Sequence, residues 1–239
     1  MTLPAQQLLL PLDRAEESVF GQFVGNSGVV STLQAVARGG LQTWCYLKAG
    51  VGQGKTHLLM ATCHLASDAR RRCGLLTAES LVEAGPECLA GLNGVDLVAL
   101  DDFDRLAGRA DWAEPLFHCF NAWRDQGTVV LAAGQQPIRG IDTPLPDLAS
   151  RLQGMTELRL DPLSEDDRAE LLRRRSSRRD VPLSEEVIGY LLRRQARDPA
   201  SLVGLVNELQ DASLAVKRRL TVPLARQILE QRKPNDLST

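Results

Sequence analysis

Short apolar runs alternate with helical stretches over residues 15–161, and helices alone fill the remainder. The runs at 44–47, 73–78, 95–104, 128–133 and 157–160 are too short for helices and are bounded by Gly, Pro or acidic residues, so they predict five strands. Between them, Val29, Val30, Leu33 and Val36 share one helical face, preceded by a turn at Gly25 and Asn26 and stopped by Gly39 and Gly40. A helix is expected over 55–68, and a shorter one over 79–92 that Gly85 and Pro86 interrupt. Another is expected over 111–126, where Trp112, Leu116, Phe120 and Trp123 form one core stripe. Pro146 opens a short helix that carries Arg151. From 162 onward four helices are expected, at 164–178, 184–195, 199–215 and 222–231, with Ser164 and Ser184 as N-caps ahead of acidic first turns. Strands alternating with helices imply an α/β fold with a five-stranded parallel sheet, followed by a four-helix C-terminal subdomain. The expected division is a flexible N-terminal peptide at 1–14, an α/β subdomain at 15–161 and a helical subdomain at 162–239.

The candidate chemistry lies where the first strand meets its helix, in WCYLKAGVGQGKTHL at 44–58. A strand, a glycine-dense turn, Lys and Thr, then a helix is the order of a phosphate-binding loop. Gly50, Gly52 and Gly54 are expected to take positive φ and turn their N–H groups inward as a nest for phosphate oxygens. The following helix aims its positive end at the same point. Lys55 brings a mobile charge for the terminal phosphates, and the Thr56 hydroxyl suits Mg²⁺. One position departs from G-x-x-x-x-G-K-[ST]: Ala49 stands where the first glycine would, and its methyl is expected to strain the turn or to shift the phosphates slightly. The strand of 95–104 ends in Asp101 and Asp102, at the carboxyl edge where open α/β sheets bind ligands. Asp101 is placed to hold the Mg²⁺ shell and Asp102 to orient or deprotonate a water. Gln135, at the end of the fourth strand, suits a γ-phosphate or water contact, or is simply a loop residue.

Composition narrows the class without adding chemistry. With 239 residues, 44% hydrophobic and 24% charged, the chain is an ordinary globular protein, and a net charge of −2 excludes a general affinity for nucleic acid. Cys45, Cys63, Cys73, Cys88 and Cys119 form no C-x-x-C pair, and His57, His64 and His118 fall in no ligand spacing. Zinc is therefore not expected, and the thiols read as reduced, in a cytoplasmic protein. The N-terminus lacks the basic region and long apolar run of a signal peptide, and no stretch approaches the roughly 18 apolar residues of a membrane span.

Two segments point to partners. In MTLPAQQLLLPLDR, Pro11 forbids a helix interior and restricts Leu10 to extended geometry. An extended peptide presenting Gln7, Leu8, Leu10 and Leu12 suits a hydrophobic groove on a partner, with a tail folded back on its own domain as the alternative. The basic run at 173–179 reads as a solvated helix face, with weak contact to duplex DNA or to an acidic partner as the other reading.

Taken together, the phosphate loop, acidic strand end, polar end of the fourth strand, helical arginine and C-terminal helices resemble an AAA+ ATPase, which implies a sheet order of 5-1-4-3-2. AGVGQGKTHLL, LVALDDFDRLAG, LASRLQGM and FGQFVGNSG resemble segments of the DnaA replication initiators. QLLLPL at 7–12 resembles the peptide by which proteins dock on the bacterial sliding clamp, the β subunit of DNA polymerase III. A DNA-reading domain like the one that follows in a DnaA initiator is not expected here, and the C-terminal helices are also similar in sequence to those of Hda proteins, the DnaA-related regulatory inactivators.

The resemblance implies site roles. Gly50, Val51, Gly52, Gln53, Gly54, Lys55, Thr56 and His57 would surround ADP or ATP, with Val24 and Asn26 near the adenine and Gln135 near the terminal phosphate. Thr56 and Asp101 would hold Mg²⁺, with Asp102 beside them. Arg151 would be an arginine finger completing the site of ATP-bound DnaA. Gln7, Leu8, Leu10, Pro11 and Leu12 would dock on the clamp, and a homodimer or higher homo-oligomer is expected. Ala200 stands where AAA+ proteins carry a nucleotide-sensing arginine, Arg197 is close but out of register, and Gln135 replaces an acidic residue. These departures imply weak or no hydrolysis in the chain's own site, and a negative regulator of replication initiation acting on DnaA-bound ATP. The alternative is a DnaC-like helicase loader or a DnaA-paralogue ATPase that binds single-stranded DNA.

Overall fold

A computed structural model of the chain describes residues 19–177, 182–194 and 198–231. Gln7, Leu8, Leu10, Pro11 and Leu12 lie outside the described residues, as do Arg178, Arg179 and Arg197. Five strands, β1 (Cys45–Lys48), β2 (Cys73–Thr77), β3 (Leu97–Asp101), β4 (Val129–Gly134) and β5 (Thr156–Arg159), form one sheet in the order β2-β3-β4-β1-β5. Every pairing is parallel, so the order is 5-1-4-3-2 read from the other edge. Helices α1 (Ser27–Ala37), α2 (Lys55–Asp68), α3 (Ala78–Ala84), α4 (Phe103–Ala107), α5 (Ala110–Asp125) and α6 (Pro146–Gln153) lie between or before the strands.

The strand pattern explains the layering. β3 and β4 are buried at every residue. Their alternate side chains feed two cores, as the period of two requires. Cys45, Leu47, Leu97, Ala99 and Leu131 pack with Leu33 and Val36 of α1 and Leu58, Leu59 and Cys63 of α2. Tyr46, Val98, Leu100, Val130 and Ala132 pack on the other face with Phe103, Trp112, Leu116, Phe120, Trp123 and Leu148.

Phe120 anchors that second core. It has no solvent exposure, and its ring lies 5.3 Å from Trp44 edge-on, 5.8 Å from Phe103 and 5.6 Å from Trp123. Phe120→Ala is expected to lower the unfolding free energy by about 3–5 kcal/mol, read as a fall in the urea midpoint at unchanged slope.

The chain divides between Asp161 and Pro162 into two compact units. The second contains α7 (Glu165–Ser176), α8 (Glu185–Arg194), α9 (Pro199–Ala215) and α10 (Val222–Gln231). Ser164 opens α7 with a capping box to Asp167, and the Ser184 hydroxyl accepts from Val187 N–H at 3.4 Å. Leu172, Val187, Leu191, Leu205, Val206 and Leu209 form the unit's own core. The start of the basic run is engaged inside this unit. Arg173 makes two 2.8 Å bonds to Glu185, Arg174 Nε donates to Glu170 at 2.7 Å, and Arg175 Nε donates to Asn207 Oδ1 at 3.1 Å.

Candidate nucleotide site

The site begins where β1 leaves the sheet. Lys48 pairs with Gly134, and Ala49 N–H donates to Gly134 O at 3.1 Å, so the parallel ladder carries one residue past the strand. That answers the expected strain at Ala49: the residue keeps an ordinary negative φ, and its methyl is buried in the core. Gly50 also keeps φ outside the positive range, against expectation; the left-handed turn is made by Gly52 at φ 72° and Gly54 at φ 96°. Gly54 has a second constraint, since a Cβ there would lie 2.8 Å from Phe23 Cε2. The Gln53 side chain braces the loop from within, its Oε1 accepting from Gly50 N–H at 2.8 Å. Val51, at the tip, is exposed.

Lys55 and Thr56 open α2. Lys55 is buried, and its Nζ donates to the main-chain carbonyls of Ala49 at 3.3 Å and Gly50 at 3.2 Å. Among the described residues no carboxylate lies within ion-pair distance of it. A buried ammonium with neutral partners beside backbone donors and a helix N-terminus favours an anion. The Thr56 hydroxyl donates to Asp101 Oδ2, joining the loop to the end of β3. Asp101 Oδ1 accepts from Asp102 N–H at 3.0 Å. Asp102 sits at φ 50°, and its carboxylate faces Arg105 at 3.7 Å. Among the described residues no three His, Cys, Asp or Glu side chains converge on a metal position. The Thr56–Asp101 pair offers hard oxygens, as fits a Mg²⁺ that takes its other ligands from water and phosphate.

Burial pushes the Asp101 carboxyl above its ordinary value, against the Thr56 hydrogen bond. An acid raised on folding holds its proton more tightly in the folded state, so stability falls as pH rises from the ordinary carboxylate range through the folded value. Asp101→Asn keeps an acceptor for Thr56 and removes the buried charge. The nucleotide-free variant is expected to melt a few degrees higher at neutral pH, with the gain shrinking as pH falls toward the carboxylate range; thermal melts across pH check this.

The other sequence-derived residues fall around this centre. His57 Nε2 lies 3.2 Å from Val19 O, and its ring is 5.7 Å from Phe23. Val24 is buried. Asn26, at φ 49°, clasps the far end of the α/β unit: its Oδ1 accepts from Asp161 N–H at 2.8 Å and its Nδ2 donates to Asp161 O at 3.1 Å. Its amide is committed to backbone, a role that local sequence does not signal. Gln135 follows β4 with its N–H bound to Asp104 Oδ2 at 2.8 Å. Asp104 was not singled out from sequence, because its partners are main-chain groups 31 and 32 residues away. Ala200 lies in the first turn of α9.

Arg151 lies on α6. Leu148 and Leu152 bury the helix's inner face, and Pro146 opens it. Among the described residues no hydrogen bond or ion pair holds the Arg151 guanidinium.

Comparison with known proteins gives the family and the fold. A family model for the bacterial DnaA ATPase domain matches residues 19–157, more than half of the chain. The chain belongs to the bacterial DnaA ATPase-domain family. A second model, for the lid domain of Hda, matches residues 165–229, so this DnaA-family chain is an Hda/DnaA-like AAA+ protein. Domain III of DnaA from Thermotoga maritima superposes with a TM-score of 0.77 at 23% identity, over 93% of this chain and 97% of that one. A replication initiator DnaA bound to AMPPCP and single-stranded DNA gives 0.74 at 23% identity, over 93% and 70%. The RuvB Holliday junction branch migration motor of T. maritima gives 0.71 at 20% identity, over 89% and 71%, a likeness of fold.

Among the described residues no helix of this DnaA-family protein is long and apolar enough to cross a membrane.

Proposed function

We propose that the chain is a negative regulator of replication initiation that stimulates hydrolysis of DnaA-bound ATP in trans. The observation that carries the reading is the pairing, in one chain, of a DnaA-type ATPase core with an Hda-type lid domain. The own site holds ADP or ATP. Gly50 to Thr56 cradle the phosphates, with Val51, Gln53 and His57 part of the same turn, and Val24 and Asn26 lie on the adenine side. Thr56 and Asp101 hold Mg²⁺, and Asp102 orients water. With Ala200 and Gln135 at positions where sensing and acidic groups are expected, own turnover is weak or absent. Support for binding comes from Lys55, a buried cation whose Nζ hydrogen-bonds only main-chain carbonyls among the described residues. Support also comes from the AMPPCP-bound DnaA that shares the fold.

Arg151 is the arginine finger offered to DnaA. A guanidinium delivers two donors and a delocalised charge to a transferring phosphoryl group. Gln7, Leu8, Leu10, Pro11 and Leu12 dock on the sliding clamp. A single extended peptide binds weakly, but a DNA-loaded clamp that presents several grooves raises the effective concentration of the attached modules. Inactivation is then confined to clamps already loaded, in the cytoplasm at the replisome, and a homodimer or higher homo-oligomer is its working form. Turnover of DnaA-bound ATP, measured with and without DNA-loaded clamp, tests the reading. The intact chain is expected to require the clamp, and a chain lacking residues 1–12 to lose the clamp-dependent increase. Strong salt-dependent DNA binding without clamp binding would instead favour a helicase loader or a DnaA-paralogue ATPase.

A further inference from the structure

Two of the five free cysteines meet between α2 and the edge of the sheet. Cys63 lies on α2, and Cys73 is the first residue of β2, ten residues further on. Arg70, at φ 58°, turns the chain back between them. Cys73 Sγ donates to the Cys63 carbonyl at 3.2 Å, and the Cys63 thiol is itself hydrogen-bonded to the Cys73 sulfur. Cys63 has no solvent exposure, whereas Cys73 is only half-buried.

The charges around the pair separate its members. The Arg71 guanidinium donates to the main-chain carbonyls of Val36, of Ala37 at 3.0 Å and of Asp96 at 3.2 Å. These partners are neutral, so its charge remains to favour a nearby thiolate. The hydrogen bond from Cys63 first, and then Arg71, hold the Cys73 thiol below its ordinary value, against burial and the charge of Asp96. The same hydrogen bond, and then burial, raise Cys63. Burial pushes Cys45 up to about 11 and Cys119 up to about 12, and it raises Cys88 as well. Cys119 is half-buried like Cys73, so exposure alone does not distinguish the two.

We propose that Cys73 and Cys63 are a peroxide-reactive dithiol that closes reversibly to a disulfide inside the folded α/β unit and ties α2 to the edge strand β2. The Cys73 thiolate attacks one oxygen of hydrogen peroxide. The O–O bond breaks, hydroxide leaves and takes up a proton as water, and the sulfur is oxidised by two electrons to a sulfenic acid. The Cys63 sulfur then attacks the Cys73 sulfur. Its proton passes to the departing hydroxyl, and a second water leaves as the S–S bond forms. Burial of Cys63 fixes this order, because peroxide reaches Cys73 first. The cross-link falls about two turns beyond Thr56, on the helix that the phosphate loop opens.

Peptide mapping by mass spectrometry, after brief exposure of the folded full chain to hydrogen peroxide, tests this. A Cys63–Cys73 link within one chain is expected, and dithiothreitol is expected to remove it. Without peroxide, iodoacetamide is expected to label Cys73 at least about tenfold faster than Cys119 or Cys45. Cys63→Ala is expected to stop the reaction at a Cys73 sulfenic acid that dimedone traps, and Cys73→Ala to leave Cys63 reduced. Because Cys63 lies in the core, the unaltered chain supplies a check that needs no variant. In urea the five thiols are expected to react at similar rates, so that the selectivity disappears with the fold. Oxidation that falls first on Cys45, Cys88 or Cys119 would overturn the proposal. So would a Cys73 that stops at the sulfenic acid in the unaltered chain, or a link that forms only in urea.

Discussion

Arg151→Ala is expected to remove the stimulation of DnaA-bound ATP hydrolysis almost completely while leaving the chain folded. Arginine fingers in phosphoryl transfer contribute on the order of 10³–10⁵ in rate, so the variant's effect should approach that of adding no protein. The structure indicates why folding should survive. The guanidinium has no hydrogen bond or ion pair among the described residues, so truncation leaves no buried partner unsatisfied. Leu148 and Leu152, which bury the inner face of α6, remain. Arg151 is half-buried, so the expected stability change is about 1 kcal/mol or less, and urea unfolding checks it. Arg151→Lys should rescue little, because a lysine keeps the charge but loses the planar fork. Single-turnover rates of DnaA-bound ATP for the three proteins decide the point.

Gly54→Ala is expected to have the second-largest effect, on the chain's own nucleotide binding. Gly54 sits at φ 96°, where an L-residue with a side chain is strained, at about 1–3 kcal/mol. The new methyl would also meet Phe23 Cε2 at 2.8 Å, and the Phe23 ring packs near His57 at 5.7 Å. Relief requires either the ring or the loop to move. The loop cannot move alone, since Gly54 O also accepts the first main-chain bond of α2, from Leu58 N–H at 3.0 Å. Flattening φ would re-aim that turn and the N–H groups around it. Loss of about 100-fold or more in nucleotide affinity is expected, together with a melting temperature lower by several degrees. Gly50→Ala is the control. Gly50 has an ordinary φ, and its Cβ would meet only Gln53 atoms from 3.5 Å outward, so its effect should be much smaller.

The outline of the fold was legible because its signals are local. The glycine-lysine start of α2, the Ser164 cap of α7 and the Pro199 start of α9 fix those helices within the sequence that forms them. The runs that became β3 and β4 are apolar throughout because both faces are covered. What escaped is non-local. The short α4 hides in DDFDRLAG, where acidic residues mask the buried Phe103, Leu106 and Ala107. Asp104, Tyr46 and Glu157 look unremarkable along the chain and meet only because the strand order brings β5, β1 and β4 side by side. The expected strain at Ala49 was misjudged for the same reason: the ladder to Gly134, not the turn, sets its backbone. At Asn26 the resemblance implied the adenine side, whereas the contact the structure shows is a clasp to Asp161, 135 residues away.

The most direct test of catalysis in trans follows the fate of labelled ATP bound to DnaA before mixing, with unlabelled nucleotide in this chain's own site and DNA-loaded clamp present. The account predicts that the label converts to ADP while still bound to DnaA, at a rate that depends on the amount of this chain and vanishes with Arg151→Ala. Label that stays as ATP on DnaA, with the intact chain and loaded clamp at saturating amounts, would contradict it.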